Sequence, residues 1–186
     1  MKRWLATVVI LLILFAIVGV LGLSMRFPVR YLEIIEEHAG DIDPSWILAV
    51  IMAESSFRPE AESHRGAQGL MQLMPATAED IARRMGKTDF DPETIWIPEV
   101  NIAMGSFYLN WLLERFGSLD LAIAAYNAGM GNVSRWLQDP EVSSDGQTLT
   151  NIPFNETANY VRRVRFNQQI YAIILRFTGR LNRGGV

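Results

Sequence analysis

The chain is predicted to be mainly α, a single small helical domain preceded by one N-terminal transmembrane helix. Three observations carry this. No charge interrupts Trp4–Leu23, a run about long enough to cross a bilayer as a helix. Most of the remainder alternates between segments of helical apolar spacing and Gly or Pro stops,. No stretch reads clearly as a strand, and no internal repeat is visible.

Lys2 and Arg3 precede the apolar run, so the positive-inside rule keeps them in the cytoplasm and sends the chain after Ser24 to the far side. A cleaved signal peptide is the competing reading, but its apolar core is ordinarily shorter and followed by small residues in an A-x-A pattern. Gly22 and Ser24 make a weak cleavage site, and an uncleaved anchor is favoured. The expected organisation is therefore a segment at 1–25, anchor or signal, and a domain at 26–186. That domain should lie outside the cytoplasm as part of a single-pass membrane protein, on the periplasmic or cell-wall side.

Within the domain, Val29–Ala39 places Leu32, Ile35 and Ala39 at helical spacing, with Gly40 as a stop,. Asp43 and Pro44 then supply an N-cap and a first-turn residue,. The helix Trp46–Ala53 that follows is apolar on every face, and so buried all round. Ser63–Met74 is glycine-rich and holds Gln68 and Gln72 among apolar residues, which suits a tight, inward-packed loop. Pro75 opens a helix with Glu79 and Asp80 early, Arg83 and Arg84 late, and Gly86 as its stop, an order that matches the helix dipole. Asn101–Phe116, a helix from Ser118 to about Asn127, and a short one marked by Val133, Trp136 and Leu137 come next. Asp139–Pro153 is polar and aperiodic, an exposed loop longer than most that suits a flap over a cleft. Asn155 caps a long basic helix through Val161, Val164, Ile170 and Ile174.

A net charge of -3 gives none of the basic excess of nucleic-acid binders, so DNA and RNA are not expected partners. Zero cysteines exclude disulfides and a lipidated cysteine. Neither of the two histidines, His38 and His64, sits in a metal-binding motif, so no metal or cofactor is expected.

Glu54 shares a stripe with Ile47, Val50 and Ile51, which turns its carboxylate toward the interior. Burial and the carbonyl end of its own helix both disfavour the charged form and raise its pKa. A carboxyl so tuned is a general acid near neutral pH. A glutamate that snorkels to solvent at a helix end is the plainer reading of the same pattern.

Four segments bear on that choice. They are Glu54-Ser55, the run Gly66-Ala67-Gln68-Gly69-Leu70-Met71-Gln72-Leu73-Met74-Pro75-Ala76-Thr77-Ala78, then Ala125-Tyr126-Asn127-Ala128-Gly129, and Ile152-Pro153-Phe154 through Glu156-Thr157 to Tyr160-Val161. In this order they resemble the lytic transglycosylase family, with its goose-lysozyme-like catalytic domain, across about Tyr31 to Tyr171. The resemblance implies cleavage of the bond between N-acetylmuramic acid and N-acetylglucosamine in peptidoglycan strands, with Glu54 first as acid and then as base. It also implies that the muramoyl C6 hydroxyl closes a 1,6-anhydro ring. Glycosidases that use water generally need a second carboxylate, and the matched motifs offer no obvious one. Glu60 and Glu62 lie in a polar loop and are expected to be solvated, whereas Glu156 is the better cleft contact.

The resemblance further implies that Ser63 and Gln72 lie near bound sugars, with Met74 rather than Met71 at the cleft. Tyr126 and Tyr160 can stack on a sugar or hydrogen-bond the catalytic carboxyl, Tyr126 being preferred, and Asn127 can bond the carboxyl or cap its helix. His64 stands where many members carry proline, and an exposed loop histidine is the preferred reading. Arg162, Arg163 and Arg165 can meet wall-peptide carboxylates or anionic lipid, although a solvated helix face is the simpler assignment. Two alternatives stay open: a hydrolytic muramidase of the same shape, and a non-catalytic wall-binding scaffold.

Overall fold

The computed structural model describes the backbone of residues 2–183, with the side chains of 2, 3, 5–7, 9, 16, 20 and 180–183 outside that description. The chain forms two compact units, Met1–Arg30 and Tyr31–Val186. The first is the helix α1, Lys2–Arg26. Most of its described apolar side chains are exposed, Trp4, Leu11, Leu12, Phe15 and Val18 among them. The helix expected at the N-terminus is present, but the transmembrane span expected of it is not shown: among the described residues no helix is long and apolar enough to cross a membrane.

The second unit is mainly helical: α2 Leu32–His38, α3 Pro44–Glu54, α4 Pro75–Arg84, a 3-10 turn at Pro92–Trp96, α5 Pro98–Phe116, α6 Leu119–Ala128, α7 Met130–Gln138 and α8 Asn155–Arg183. Among the described residues the only β pairing is two isolated bridges, Glu62 with Gln68 and Gln68 with Leu73. The helix α3 is the central element. Asp43 caps it by accepting from the Ser45 backbone N–H at 2.9 Å, with Pro44 in the first turn,. Ile47, Leu48, Ala49, Val50 and Ile51 are all buried, and α8 is its main packing partner.

Several boundaries differ from expectation. The first helix of the domain is shorter, because Tyr31 takes a left-handed φ of 60° at its N-cap. The helix expected from Asn101 begins at Pro98, since Pro at the first position needs no N–H partner. Asn101 is therefore a buried interior residue of α5. The turn at Pro92–Trp96 has no counterpart among the expected elements; Asp91 caps it through the Glu93 N–H at 3.0 Å.

The loop 61–73 is folded tightly inward. Gln68 and Leu73 exchange both backbone hydrogen bonds, at 2.9 and 3.0 Å, and the Gly69 N–H donates to Ala61 O at 2.9 Å. Asn101 anchors the loop from α5: its Oδ1 accepts from the Met71 N–H at 2.7 Å, and its Nδ2 donates to Gln68 O at 3.1 Å and to Ile95 O at 3.0 Å. Gly69, at φ +79°, passes so close that a Cβ would lie 2.2 Å from Asn101 Nδ2. Only glycine fits both constraints.

Candidate active site

Glu54 is the last residue of α3, and the chain beyond it turns abruptly. Ser55 closes the helix by donating its backbone N–H to Ile51 O at 3.0 Å. Ser56 and Phe57 then take left-handed φ values of 53° and 61°, costly for non-glycine residues. Phe57, buried and packed against the Tyr171 ring at 6.3 Å, supplies the packing that offsets the cost. The turn ends the buried helix at Glu54 and gives its carboxyl a cleft to face.

That cleft, about 260 Å³, is lined by Glu54, Ser63, His64, Arg65, Ala67, Gln72, Met74, Tyr126, Asn127 and Glu156. A second, of about 200 Å³, shares Gln72, Met74, Tyr126 and Asn127 with it and adds Thr77 and Tyr108. The common wall makes the two one extended groove.

Burial is the main influence on Glu54 and pushes its pKa from 4.5 to about 7,. The Tyr160 hydroxyl and the Arg163 guanidinium oppose it. Tyr160, buried on α8, donates to Glu54 Oε1 at 2.6 Å. Arg163 lies 5.6 Å from the Tyr160 ring centroid. Burial and the Glu54 charge hold the phenols of Tyr126 and Tyr160 well above the ordinary tyrosine value, so both remain O–H donors at neutral pH. With Oε1 engaged, Oε2 has no hydrogen-bond partner among the described residues and is the oxygen available to carry a proton into the cleft.

Of the seven expected substrate contacts, Ser63, Gln72, Met74, Tyr126, Asn127 and Glu156 line the cleft and Tyr160 does not. Either tyrosine is expected to stack on a sugar or bond the carboxyl, with Tyr126 preferred for the site. The structure divides the two roles: Tyr126 lines the cleft with its hydroxyl donating to Met71 O at 2.8 Å, and Tyr160 bonds Glu54. Tyr160 itself lies behind Glu54 and is absent from the lining of the cleft. Gln72 lines the cleft at a left-handed φ of 49°, with its amide nitrogen donating to Ala61 O and Gly69 O at 2.8 and 2.9 Å. The Ser63 hydroxyl accepts from the Ala67 N–H at 3.0 Å. Both residues thus shape the loop as well as facing the groove. Asn127 accepts from the Thr157 hydroxyl at 2.8 Å, tying α6 to α8. Met74 is 41% exposed in the cleft wall, whereas Met71 is fully buried.

Glu156 is exposed on the cleft and is the one other carboxylate among its described lining residues. Glu60 and Glu62 are exposed around a separate depression with Arg58. His64 is exposed on the cleft wall beside Arg65. The long loop is not placed over this cleft. Its residues 147–152 border a different cavity, because Asp145 pins the turn by accepting from the Gln147 and Thr148 N–H groups at 2.8 and 2.7 Å. Among the described residues no cluster of three His, Asp or Glu can hold a metal.

Sequence reasoning gives Asn101 and Arg65 no role at the site, names Thr157 only within a matched motif, and offers Arg163 only as one of three arginines that can meet wall-peptide carboxylates or lipid. The signal for Asn101 is a polar residue in register with Gly105 and Leu112 on a buried helix,, but it also reads as a helix start. Nothing local distinguishes Arg163 from Arg162 and Arg165.

Comparison with known proteins places this geometry. The model of the transglycosylase SLT domain matches residues 32–147. The soluble lytic murein transglycosylase of Salmonella typhimurium is 37% identical over 147 residues, covering 76% of this chain and 23% of that protein. The membrane-bound lytic murein transglycosylase F of Pasteurella multocida is 33% identical over 111 residues, covering 56% of this chain and 21% of that one. Among solved structures, an inactive glutamate-to-glutamine mutant of the lytic transglycosylase Slt from Pseudomonas aeruginosa superposes with a TM-score of 0.74 at 39% identity, covering 83% of this chain and 26% of that one. The chain thus spans about a quarter of the length of these relatives. With the helical fold, the order of the motifs and the matched residues in agreement, the chain belongs to the transglycosylase SLT domain family.

Proposed function

We propose that this domain is a peptidoglycan lytic transglycosylase, a carbon–oxygen lyase acting on the β-1,4 bond between N-acetylmuramic acid and N-acetylglucosamine. The observation that carries the reading is Glu54: one carboxyl, raised to about 7 by burial and oriented by Tyr160 at 2.6 Å, at the base of an open groove. Near neutral pH both of its protonation states are accessible, which suits a group that acts in turn as acid and base.

In the first half-reaction the Glu54 carboxyl donates its proton to the glycosidic oxygen, and the C1–oxygen bond of the muramoyl residue breaks. The resulting carboxylate stays next to a cationic sugar centre, stabilised by the Tyr160 O–H and by Arg163. In the second half-reaction the C6 hydroxyl of the same sugar attacks C1 and gives its proton to Glu54. A 1,6-anhydro ring forms, the acid is restored and no water is consumed. Ser63, Gln72, Met74, Tyr126, Asn127 and Glu156 form the wall that positions the strand, and Tyr160 positions the acid.

We further assign α1 as a membrane anchor that keeps the domain on the extracytoplasmic face, within reach of the wall. Support comes from the 25-residue helix with exposed apolar side chains, from Lys2 and Arg3 ahead of its apolar run, and from a relative whose name describes it as membrane-bound. Residues 1–25 then serve as anchor and 26–186 as catalytic domain.

The test is Glu54→Gln in the full chain with purified sacculi as substrate. Strand cleavage should be lost while folding and glycan binding persist, and cleavage at the wild-type rate would remove Glu54 from the mechanism. The scaffold alternative predicts no cleavage by the wild type either.

A further inference from the structure

The cavity of about 350 Å³ between α6 and α8 lies away from Glu54. It is bordered by the N-terminal end of α6 (Ser118, Asp120, Leu121), by residues 147–152 and by Ala158, Val161, Arg162 and Arg165 of α8. The helix α8 therefore serves two sites. Glu156, Tyr160 and Arg163 attend the catalytic groove, whereas Ala158, Val161, Arg162 and Arg165 face this second cavity.

Its chemistry is amphipathic and biased toward anions. Leu121, Ala124 and Val161 make a buried apolar floor. Two guanidinium groups border it. Arg165 meets Asp120 at 3.4 Å with both side chains about half exposed, and Arg162 bonds Asn159 through one nitrogen, so each retains further N–H donors. The backbone N–H groups of Leu149, Asn151 and Ile152 have no backbone hydrogen-bond partner among the described residues. Ser118 stands at the N-cap of α6 without making a side-chain cap bond. The turn that forms the opposite wall is held by Asp145, with Thr150 also bonded to Val142 O at 2.9 Å.

We propose that this cavity binds the carboxylate-bearing part of a short peptide with small aliphatic side chains, namely the stem peptide carried by the glycan strand. The identification of the peptide rests on the proposed wall-cleaving function. Arg162 and Arg165 take the carboxylate, the Leu149, Asn151 and Ile152 amides take peptide carbonyls, and the α6–α8 floor takes the methyl groups. Occupation of this cavity would select strands that still carry stems, acting on recognition and not on the chemistry at Glu54.

The experiment uses the full chain, the Arg162→Ala/Arg165→Ala double variant, and Ala158→Leu, which fills the cavity without removing charge. Binding of a free stem tetrapeptide is measured by NMR titration, and strand cleavage is followed on stem-bearing glycan and on glycan stripped of stems by an amidase. Both variants should weaken peptide binding by about tenfold, the double variant through lost charge-assisted hydrogen bonds and Ala158→Leu by occupying the space the peptide needs. They should raise KM on stem-bearing strands by a similar factor and leave cleavage of stripped strands unchanged. Amidation of the peptide's carboxylates should weaken its binding to the wild type as much as the double variant does. Wild-type-like peptide binding in the variants, no peptide binding to the wild type, or equal slowing on both substrates would overturn the proposal. If the wild type cleaves neither glycan yet binds the peptide through the arginines, the proposed function fails and the peptide site stands.

Discussion

Replacing Glu54 by Gln should stabilise the domain, and by an amount that depends on pH. Burial moves the Glu54 pKa from 4.5 to about 7. At about 1.4 kcal/mol per pKa unit, keeping this group ionised in the folded domain costs about 3 kcal/mol relative to the unfolded chain. Because the folded-state pKa is the higher one, the folded state holds the proton more tightly. The contribution is therefore favourable below the unfolded pKa and is lost as pH rises through about 7,. The substituted glutamine would keep the size and an oxygen to accept from Tyr160, but it cannot ionise. The variant's advantage over the wild type should then grow by about 3 kcal/mol between about pH 4 and about pH 9. Asp80 and Asp145 have depressed pKa values and act with the opposite sign at acid pH, but they are common to both proteins and cancel. Urea unfolding followed by tryptophan fluorescence, on both proteins at each pH, gives the difference directly. Thermal melts should separate by roughly 6–12 °C at alkaline pH for a domain of this size. A stability gap that does not change with pH would refute the claim that this carboxyl is desolvated.

Tyr160→Phe removes a hydrogen bond that favours the Glu54 carboxylate, so the alkaline limb of the pH profile for kcat/KM should move to higher pH, with about a tenfold loss in rate. An unchanged limb would show that the contact is inconsequential. Asn101→Ala strands the Met71 N–H and removes the side-chain donor to Ile95 O, while Gln68 O keeps its bond from the Leu73 N–H; it should destabilise by about 3 kcal/mol, measurable by urea unfolding, with cleavage lost as the 61–73 loop shifts. Glu156→Gln should lower kcat/KM by less than about tenfold if Glu156 only contacts the strand. A hydrolytic mechanism that relies on it as base would lose about 100-fold or more.

The helices are legible in the sequence because their information is local: Asp43-Pro44, Pro75 with Gly86, and Phe116-Gly117 are start and stop signals that act within one turn. Glu54 is legible as a buried carboxyl for the same reason, since its stripe with Ile47, Val50 and Ile51 lies within one helix. What holds that carboxyl is not. Tyr160 reaches it across 106 residues, and two tyrosines with identical chemistry cannot be ranked until α8 is packed on α3. Asn101 misleads because an Asn at the edge of an apolar pattern is a common cap, and only the fold shows that Pro98 begins the helix and leaves Asn101 facing the loop. The loop 139–153 reads as a flap from its length and polarity. Those properties foretell its exposure, but its destination depends on Asp145 gathering the turn and on where α6 meets α8.

The central claim is that a single carboxyl cleaves the glycan without water, and the ends of the released fragments test it most directly. Full-length protein should be incubated with purified peptidoglycan in water enriched in heavy oxygen, and the products read by mass spectrometry. The account predicts 1,6-anhydromuramoyl ends with no label incorporated. Reducing muramic acid ends carrying the heavy oxygen would contradict it and make Glu54 the acid of a hydrolase.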